Sequence, residues 1–297
     1  MNERTNKVIL VPVDYTERAE YAIEHALVMA RYFEYEICLL NVITKKQVDD
    51  KVRQEAAEKI NKYAEDATEK SGIHIKGMVK EGSIFTTIGK VADDLKASLI
   101  IMGIHGKKGL QHLFGSFAYK VICNSTVPVV VVKNPIKQRK IENIVLPIDF
   151  SKESAIKVTQ AIKYAHYFKS AIRIIGVLDT KSSVVRIKKE ALIKTVMDFI
   201  KNAGVKVTAD VIIEPGEEAH ESIINYAEKI DADMIIIVAE RDGGFADLFA
   251  KNSAEEIIDE SEIPVMTVTP KPGEADVTDS KGKIVKTFVD PMGLMKH

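Results

Sequence analysis

Three glycines and a serine have the types and spacing of a phosphate-binding loop. Gly103 and Gly106 follow an apolar run at residues 99–102, and Gly115 with Ser116 opens a helix pattern that precedes another apolar run. A strand that runs through glycines into a helix start leaves backbone N–H groups unpaired, and the helix macrodipole adds positive potential there. Glycine also lets the backbone approach a ligand closely. This stretch therefore predicts an anion site.

Apolar runs and amphipathic helix patterns alternate in the sequence before this loop. Residues 7–13 are apolar nearly throughout, which is typical of a strand buried on both faces of a parallel sheet. Further segments alternate in type: a helix at 16–33, a strand at 36–43, a helix at 48–71, a strand at 74–79 and a helix at 84–95. Because parallel strands need right-handed helical crossovers, the alternation predicts an α/β fold with a doubly wound parallel sheet.

The same series of patterns occurs twice, at an offset near 135 residues. VILVPVD corresponds to NIVLPID, which aligns Asp14 with Asp149, and STVPVVVV corresponds to SEIPVMTV. A chain of 297 residues is long enough for two ordinary domains. We therefore predict two tandem domains at residues 1–135 and 136–270, joined through a short polar linker at 134–140.

A C-terminal tail, residues 271–297, follows the second repeat. Its first half is polar and contains glycine, whereas residues 283–289 alternate between polar and apolar side chains. That alternation fits one edge strand added to a sheet or to a partner. A mobile tail fits it equally well.

The composition excludes several classes of function. A net charge of −1, with no basic cluster interleaved with aromatic residues, argues against binding to nucleic acid. No apolar run is long enough for a membrane span, and the charged N-terminus MNERTNKVIL is unlike a signal peptide. Two cysteines, Cys38 and Cys123, do not make a disulfide framework, which fits a reducing compartment. We expect a cytoplasmic protein.

With these motifs in place, the chain resembles the universal stress protein family. The resemblance rests on V-P-V-D at the end of the first strand, on the later G-x-x-G…G-S, and on V-P-V-V-V after it. It covers residues 7–269 as a tandem-repeat, two-domain member. It implies Rossmann-like domains with strand order 3-2-1-4-5. In nucleotide-binding members of the family, ATP lies at the carboxyl ends of the strands, at the topological switch point.

The resemblance gives six residues of the first repeat a place in an ATP site. Asp14 matches the acidic residue that contacts the adenosine moiety, and Val42, just after the second strand, matches the position that lines the adenine. The other four residues match phosphate-binding positions. The backbone of Gly103 and Gly106 receives the phosphates, and Gly115 and Ser116 close over the distal phosphates.

The loop departs from the family pattern in length. That pattern has nine residues between its second and third glycines, whereas residues 107–114 of this chain give eight. A shorter loop narrows the phosphate site or moves Ser116 away from it. Under the alternative hypothesis, the glycines serve only the tight connection from strand to helix, and the chain is an interaction protein that binds no nucleotide.

The second repeat departs further. Counted back from Pro264, the positions that match the three glycines and Ser116 are Ala239, Asp242, Lys251 and Asn252. None is glycine, and an aspartate stands where phosphate needs a neutral donor. We therefore expect adenine-nucleotide binding in the first repeat only. Asp149 is then expected to cap the helix that follows it.

The sequence offers little that could perform catalysis. It has neither a G-x-S-x-G elbow nor a G-x-x-x-x-G-K-[ST] loop, and it shows no nucleophile paired with a base. His25 and His166 lie in helix patterns without Cys, Asp or Glu at metal-ligand spacing, so no metal site is expected. We expect a binding and regulatory module of the stress response rather than an enzyme. Slow hydrolysis of an adenine nucleotide is the remaining enzymatic alternative.

The last apolar run of each repeat bears on assembly. Residues 127–132 and 264–268 would be edge strands, and an uncovered apolar edge invites aggregation. The pairing habit of the family implies that these fifth strands pair, forming a pseudo-dimer within one chain. A homodimer through helices or the tail is a further expectation.

Overall fold

The computed structural model divides the chain into two compact units, Met1–Arg139 and Lys140–His297. It describes residues 7–44, 49–104, 114–137, 140–148, 154–178, 182–213, 218–238 and 251–268. The tail at 271–297, with its alternating segment, lies outside these ranges. Each unit contains a parallel sheet.

The first unit alternates strands and helices along the chain. Its elements are β1 (Val8–Pro12), α1 (Glu17–Phe33), β2 (Glu36–Ile43), α2 (Asp50–Ser71), β3 (Ile75–Glu81), α3 (Ile84–Asp94), β4 (Leu99–Gly103), α4 (Phe114–Cys123) and β5 (Val129–Val132). The strands pair in parallel in the order β3-β2-β1-β4-β5. This order confirms the predicted doubly wound α/β fold, and it places the switch point between β1 and β4.

The second unit repeats this plan. Its elements are β6 (Asn143–Pro147), α5 (Ser154–Phe168), β7 (Ala171–Leu178), α6 (Ser183–Asn202), β8 (Val207–Ile213), α7 (Ala219–Lys229), β9 (Met234–Val238), α8 (Lys251–Glu260) and β10 (Val265–Val268). The parallel order β8-β7-β6-β9-β10 is that of the first unit. The tandem repeat of one fold is thereby confirmed.

Burial explains why these sequences form central and edge strands. Leu10 in β1 and Ile100 in β4 are both fully buried, as expected for strands covered by helices on both faces. In β3, only Ile75 is buried, and the remaining residues are partly or fully exposed, which fits its place at the sheet edge. The apolar runs thus form the centre of the sheet, and the mixed run forms its edge.

The helix α2 begins with a side-chain cap. The Asp49 carboxylate accepts a hydrogen bond of 2.8 Å from the Val52 backbone N–H. At the other end, Gly72 caps the helix in the left-handed conformation, with φ of 72°. Among the helices that the structure describes, none is both long and apolar enough to cross a membrane.

Removal of this cap provides a local test of stability. Because Asp49→Ala leaves the Val52 N–H without its acceptor, we expect a loss of about 1 kcal/mol in the free energy of unfolding. Chemical denaturation followed by circular dichroism would measure it. Asp66→Ala, at an exposed position of the same helix, is the control. An equal effect of both substitutions would contradict a capping role.

Candidate functional site

The switch point brings two of the expected site residues to one edge of the sheet. Strands β1 and β4 are neighbours, with Ile9 paired to Leu99 and Leu10 paired to Ile100. Asp14 lies two residues beyond the end of β1, and Gly103 is the last residue of β4. Ligands of open α/β sheets bind in the crevice at this position.

The Asp14 carboxylate is exposed and oriented by a local turn. Its Oδ1 accepts a hydrogen bond of 3.0 Å from the Thr16 backbone N–H and one of 2.6 Å from the Thr16 hydroxyl. No hydrogen bond to Oδ2 occurs within the residues that the structure describes. Asn41 of β2 fixes the start of this turn, because its side-chain amide donates to the Val13 carbonyl at 2.9 Å. One carboxylate oxygen is therefore held, and the other faces no described donor.

Val42 lies inside β2 rather than just after it: it is the second residue from the end of the strand and pairs with Lys80 of β3. The strand continues to Ile43, whose carbonyl accepts a hydrogen bond from the Gly82 N–H at 2.9 Å. Val42 is half-buried at the carboxyl end of the sheet.

Gly103 is required by the packing of α1. A Cβ atom at this position would lie 2.0 Å from the Arg18 carbonyl oxygen and 2.5 Å from its carbonyl carbon. Both contacts are with backbone, so a side-chain rotation cannot relieve them. Gly103 is not among the described glycines with a positive φ. Close approach of the helix backbone therefore accounts for this glycine independently of any ligand.

Of the other three expected phosphate-site residues, the structure describes Gly115 and Ser116 but not Gly106. Gly106 lies outside the described residues, and so does the rest of the segment at 105–113. Gly115 and Ser116 are the second and third residues of α4. The structure thus brings Asp14, Val42 and Gly103 to the carboxyl edge of one sheet, and it puts Gly115 and Ser116 in the first turn of a helix.

Arg18 is a further residue at this edge that the sequence analysis does not identify. One of its terminal nitrogens, Nη1, donates to the carbonyl of Lys133, and the guanidinium lies 5.2 Å from the centroid of the Tyr21 ring. Its Nε is buried and has no hydrogen-bond partner among the residues that the structure describes. The sequence does contain a signal for Arg18. A basic residue in the first turn of a helix interacts unfavourably with the helix macrodipole, which indicates that another interaction keeps it there.

Two tyrosines join the Asp14 turn to α2. The Tyr15 and Tyr63 rings meet edge to face at 5.7 Å between centroids, and the Lys59 ammonium lies 3.6 Å from the centre of the Tyr15 ring. The Tyr63 hydroxyl donates to Glu20. Burial, followed by this hydrogen bond, raises the pKa of Tyr63. The hydrogen bond to Glu20 therefore joins α2 to α1, and the ring contact with Tyr15 joins α2 to the turn.

His25 contacts the chain segment that follows β5. Its Nε2 lies 3.2 Å from the Asn134 carbonyl oxygen, and the ring is 6% exposed. Burial lowers the pKa of His25 to about 4, although the contact with Asn134 opposes this shift. Among the described residues, no group of three His, Cys, Asp or Glu side chains could hold a metal ion.

The strand pairing corrects one correspondence between the repeats. Gly103 pairs with Val132 at the end of β4 and β5, and Val238 pairs with Val268 at the end of β9 and β10. Val238, rather than Ala239, is therefore the counterpart of Gly103. The connection between the paired strands is one residue longer in the second repeat, which is why counting back from Pro264 misses the register by one.

Comparison with known proteins gives consistent matches along the chain. The model of the Universal stress protein family matches residues 5–133 and again 140–269. Universal stress protein MJ0531 of Methanocaldococcus jannaschii is 32% identical over 149 residues, which are 46% of this chain and 87% of that protein. Universal stress protein MJ0577 of the same organism is 31% identical over 153 residues, covering 43% of this chain and 94% of that protein.

A solved structure has the same fold over most of the chain. The crystal structure of a universal stress protein from Archaeoglobus fulgidus superposes with a TM-score of 0.73 at 22% identity, and the superposition covers 90% of this chain and 99% of that one. The two matches of the family model together span most of the sequence. This chain therefore belongs to the universal stress protein family, with one family domain in each of its two repeats.

Proposed function

We propose that the chain is a regulatory module of the stress response that binds ATP or another adenine nucleotide in its first repeat only. The observation that carries the proposal is the meeting of two features at the switch point. Asp14, with one carboxylate oxygen facing no described donor, and Gly103, where the glycine loop begins, follow adjacent strands. We propose the cytoplasm as its compartment.

The chemistry of this edge suits an adenine nucleotide. The Asp14 Oδ2 can accept a hydrogen bond from a ribose or adenine donor, while Thr16 keeps Oδ1 in place. Backbone N–H groups of the loop and of the first turn of α4, which includes Gly115 and Ser116, would receive the phosphates. Residues 105–113 contain two lysines and no acidic residue, so the loop sequence does not repel an anion.

The second repeat, residues 136–270, is proposed to bind no nucleotide. Its segment 239–244, AERDGG, carries two acidic residues, and Val238 replaces the glycine at the end of the fourth strand. Negative charge beside a phosphate is repulsive. In this proposal, residues 1–135 form the sensing domain, and the degenerate second domain and the tail at 271–297 serve interaction with a protein partner.

The proposal is tested on freshly purified protein. Mass spectrometry of the ligand released on denaturation, followed by calorimetric titration of the emptied protein with ATP, should give one adenine nucleotide per chain. Asp14→Ala should weaken binding about 10- to 100-fold, because a hydrogen bond to a charged group is lost. Asp149→Ala, the same substitution at the matching position of the second repeat, should leave the affinity unchanged. Equal losses in both variants would contradict assignment to the first repeat.

A specific observation favours a second candidate, an interaction protein of the same fold that binds no nucleotide. The contact of Gly103 with the Arg18 backbone explains this glycine without a phosphate. Purified protein that is empty, and that gives no heat with millimolar ATP, would support this candidate. Slow hydrolysis is tested separately. Phosphate release no faster than that of an Asp14→Ala, Gly106→Ala double variant would exclude it.

A further inference from the structure

Arg18 lies where the glycine loop leaves the sheet. Its carbonyl packs against Gly103, the last residue of β4, and its Nη1 donates to the carbonyl of Lys133. Lys133 follows Val132 directly, and Val132 pairs with Gly103. The backbone of Arg18 therefore packs on the last residue of β4, and its side chain is held beside the neighbouring end of β5.

The guanidinium has donors to spare at this point. It carries five N–H groups in a planar fork, and the contact with Lys133 uses one terminal nitrogen. Within the described part of the chain, Nε is buried without a partner and Arg18 forms no ion pair with a carboxylate. A buried charged donor without an acceptor is costly, so this position favours an incoming anion.

The charges around Arg18 do not supply that anion. Glu17, its neighbour in the helix, accepts a hydrogen bond from the Tyr21 hydroxyl. The Asp14 carboxylate holds Thr16 through Oδ1. The loop sequence at 105–113 adds Lys107 and Lys108 and has no acidic residue. Within the described residues, neither carboxylate forms an ion pair with Arg18, so its guanidinium has no described counter-ion.

We propose that Arg18 binds the phosphate chain of the nucleotide and makes the first repeat select polyphosphorylated adenine ligands over adenosine. The inference rests on the proposed function, because it names a residue that would bind the phosphates of the proposed nucleotide. Planar forked donors match phosphate oxygens in geometry, and a hydrogen bond between two charged groups is stronger than one between neutral groups. The Arg18 guanidinium would keep its bond to Lys133 and offer its remaining N–H groups to the ligand.

The test compares three probes, ATP, adenosine and inorganic tripolyphosphate, by calorimetry on the full chain emptied of ligand. Arg18→Gln should weaken ATP binding about 10- to 100-fold and leave adenosine binding within about 2-fold. Arg18→Lys keeps the positive charge but lacks the planar guanidinium, so its affinity for ATP should lie between those of the unchanged protein and Arg18→Gln. Arg31→Gln removes an equal charge from an exposed position in the last turn of the same helix and should change neither affinity.

The outcomes separate this inference from the proposed function. If the unchanged protein binds ATP and Arg18→Gln alters ATP and adenosine binding equally, or alters neither, the selective role of Arg18 is wrong and the nucleotide site stands. If the unchanged protein does not bind ATP but binds tripolyphosphate, and Arg18→Gln weakens that binding, the anion site at Arg18 stands and the nucleotide site is wrong. If it binds none of the probes, both are wrong. Should Arg18→Gln prove unfolded by circular dichroism, Arg18→Lys carries the comparison on the same criteria.

Discussion

Gly103→Ala is expected to lower the free energy of unfolding of the first unit by about 3 kcal/mol. The added methyl group would lie 2.0 Å from the Arg18 carbonyl oxygen, well inside van der Waals contact. Because the opposing atom belongs to the backbone of α1, relief requires the helix to move away from β4. Urea denaturation followed by circular dichroism would measure the loss, and hydrogen exchange would locate it in the first unit.

A second glycine provides the matched control. At Gly176 in β7, an added Cβ would lie 2.5 Å from the Cδ1 atom of Ile193, the far end of a flexible side chain. That atom can rotate away, so Gly176→Ala should cost less than about 1 kcal/mol, and a reduced entropy of the unfolded chain offsets part of this cost. Gly89→Ala should resemble Gly103→Ala, because its Cβ would lie 2.4 Å from the Asn124 carbonyl oxygen. A Gly103→Ala protein as stable as Gly176→Ala would refute the packing argument.

This comparison also decides how the glycine motif should be interpreted. If Gly103→Ala abolishes ATP binding while the first unit is destabilised, the loss of binding reports displacement of α1. The phosphate hypothesis then depends on Asp14, Arg18 and the residues of α4. The side chains of Asp14 and Arg18 also have backbone contacts, to the Thr16 N–H and the Lys133 carbonyl, so their variants need the same check of stability. Motif matching alone gives Gly103 a role in binding, whereas the structure gives it a role in folding that stands without a ligand.

Much of the fold was predictable because its signals are local. The apolar run at residues 99–102 predicts a central strand, and Ile100 and Ile101 are fully buried there. The Asp14 turn is also local, since its hydrogen bonds join residues two positions apart. Because the series of strand and helix patterns occurs twice in the sequence, two copies of the fold can be predicted without knowing any tertiary contact.

Contacts between distant parts of the chain could not be predicted in this way. Arg18, Glu24 and His25 on α1 contact backbone atoms of Lys133, Ile136 and Asn134, more than 100 positions away. No periodicity or spacing in the sequence encodes such pairs, and each acceptor or donor is a backbone group that every residue type carries. The correspondence of Gly103 with Ala239 was wrong for a different reason. Counting back from Pro264 uses an offset of 136 residues, whereas aligning ASLIIMG with ADMIIIV gives an offset of 135, and the strand pairing agrees with the second.

Acidification is expected to destabilise the first unit through His25. The folded state holds the ring buried and neutral, with its pKa lowered to about 4 from an ordinary value of 6.5. Between these two values, the unfolded chain binds a proton that the folded chain does not, so stability rises with pH across this window and falls as pH drops through it. The shift corresponds to a loss of roughly 3 kcal/mol by pH 4.

The same histidine ties the end of the first repeat to α1. Its Nε2 contacts the Asn134 carbonyl, and on the same helix the Glu24 carboxylate accepts a hydrogen bond of 3.3 Å from the Ile136 N–H. Because protonated His25 is strongly disfavoured while buried, acid should loosen this segment from the helix before the central strands open. Hydrogen exchange at residues 133–136 between pH 7 and pH 4.5 would show this order.

His25→Gln isolates this contribution from that of the carboxylates, which also titrate in acid. A glutamine amide can still donate to the Asn134 carbonyl but has no proton to gain near neutral pH. The difference in unfolding free energy between pH 7 and pH 4.5 should therefore shrink by most of the roughly 3 kcal/mol assigned to His25. His74→Gln, at an exposed position just before β3, should leave that difference unchanged. If both variants keep the full acid sensitivity, burial of His25 does not govern that sensitivity, and its source lies elsewhere in the chain.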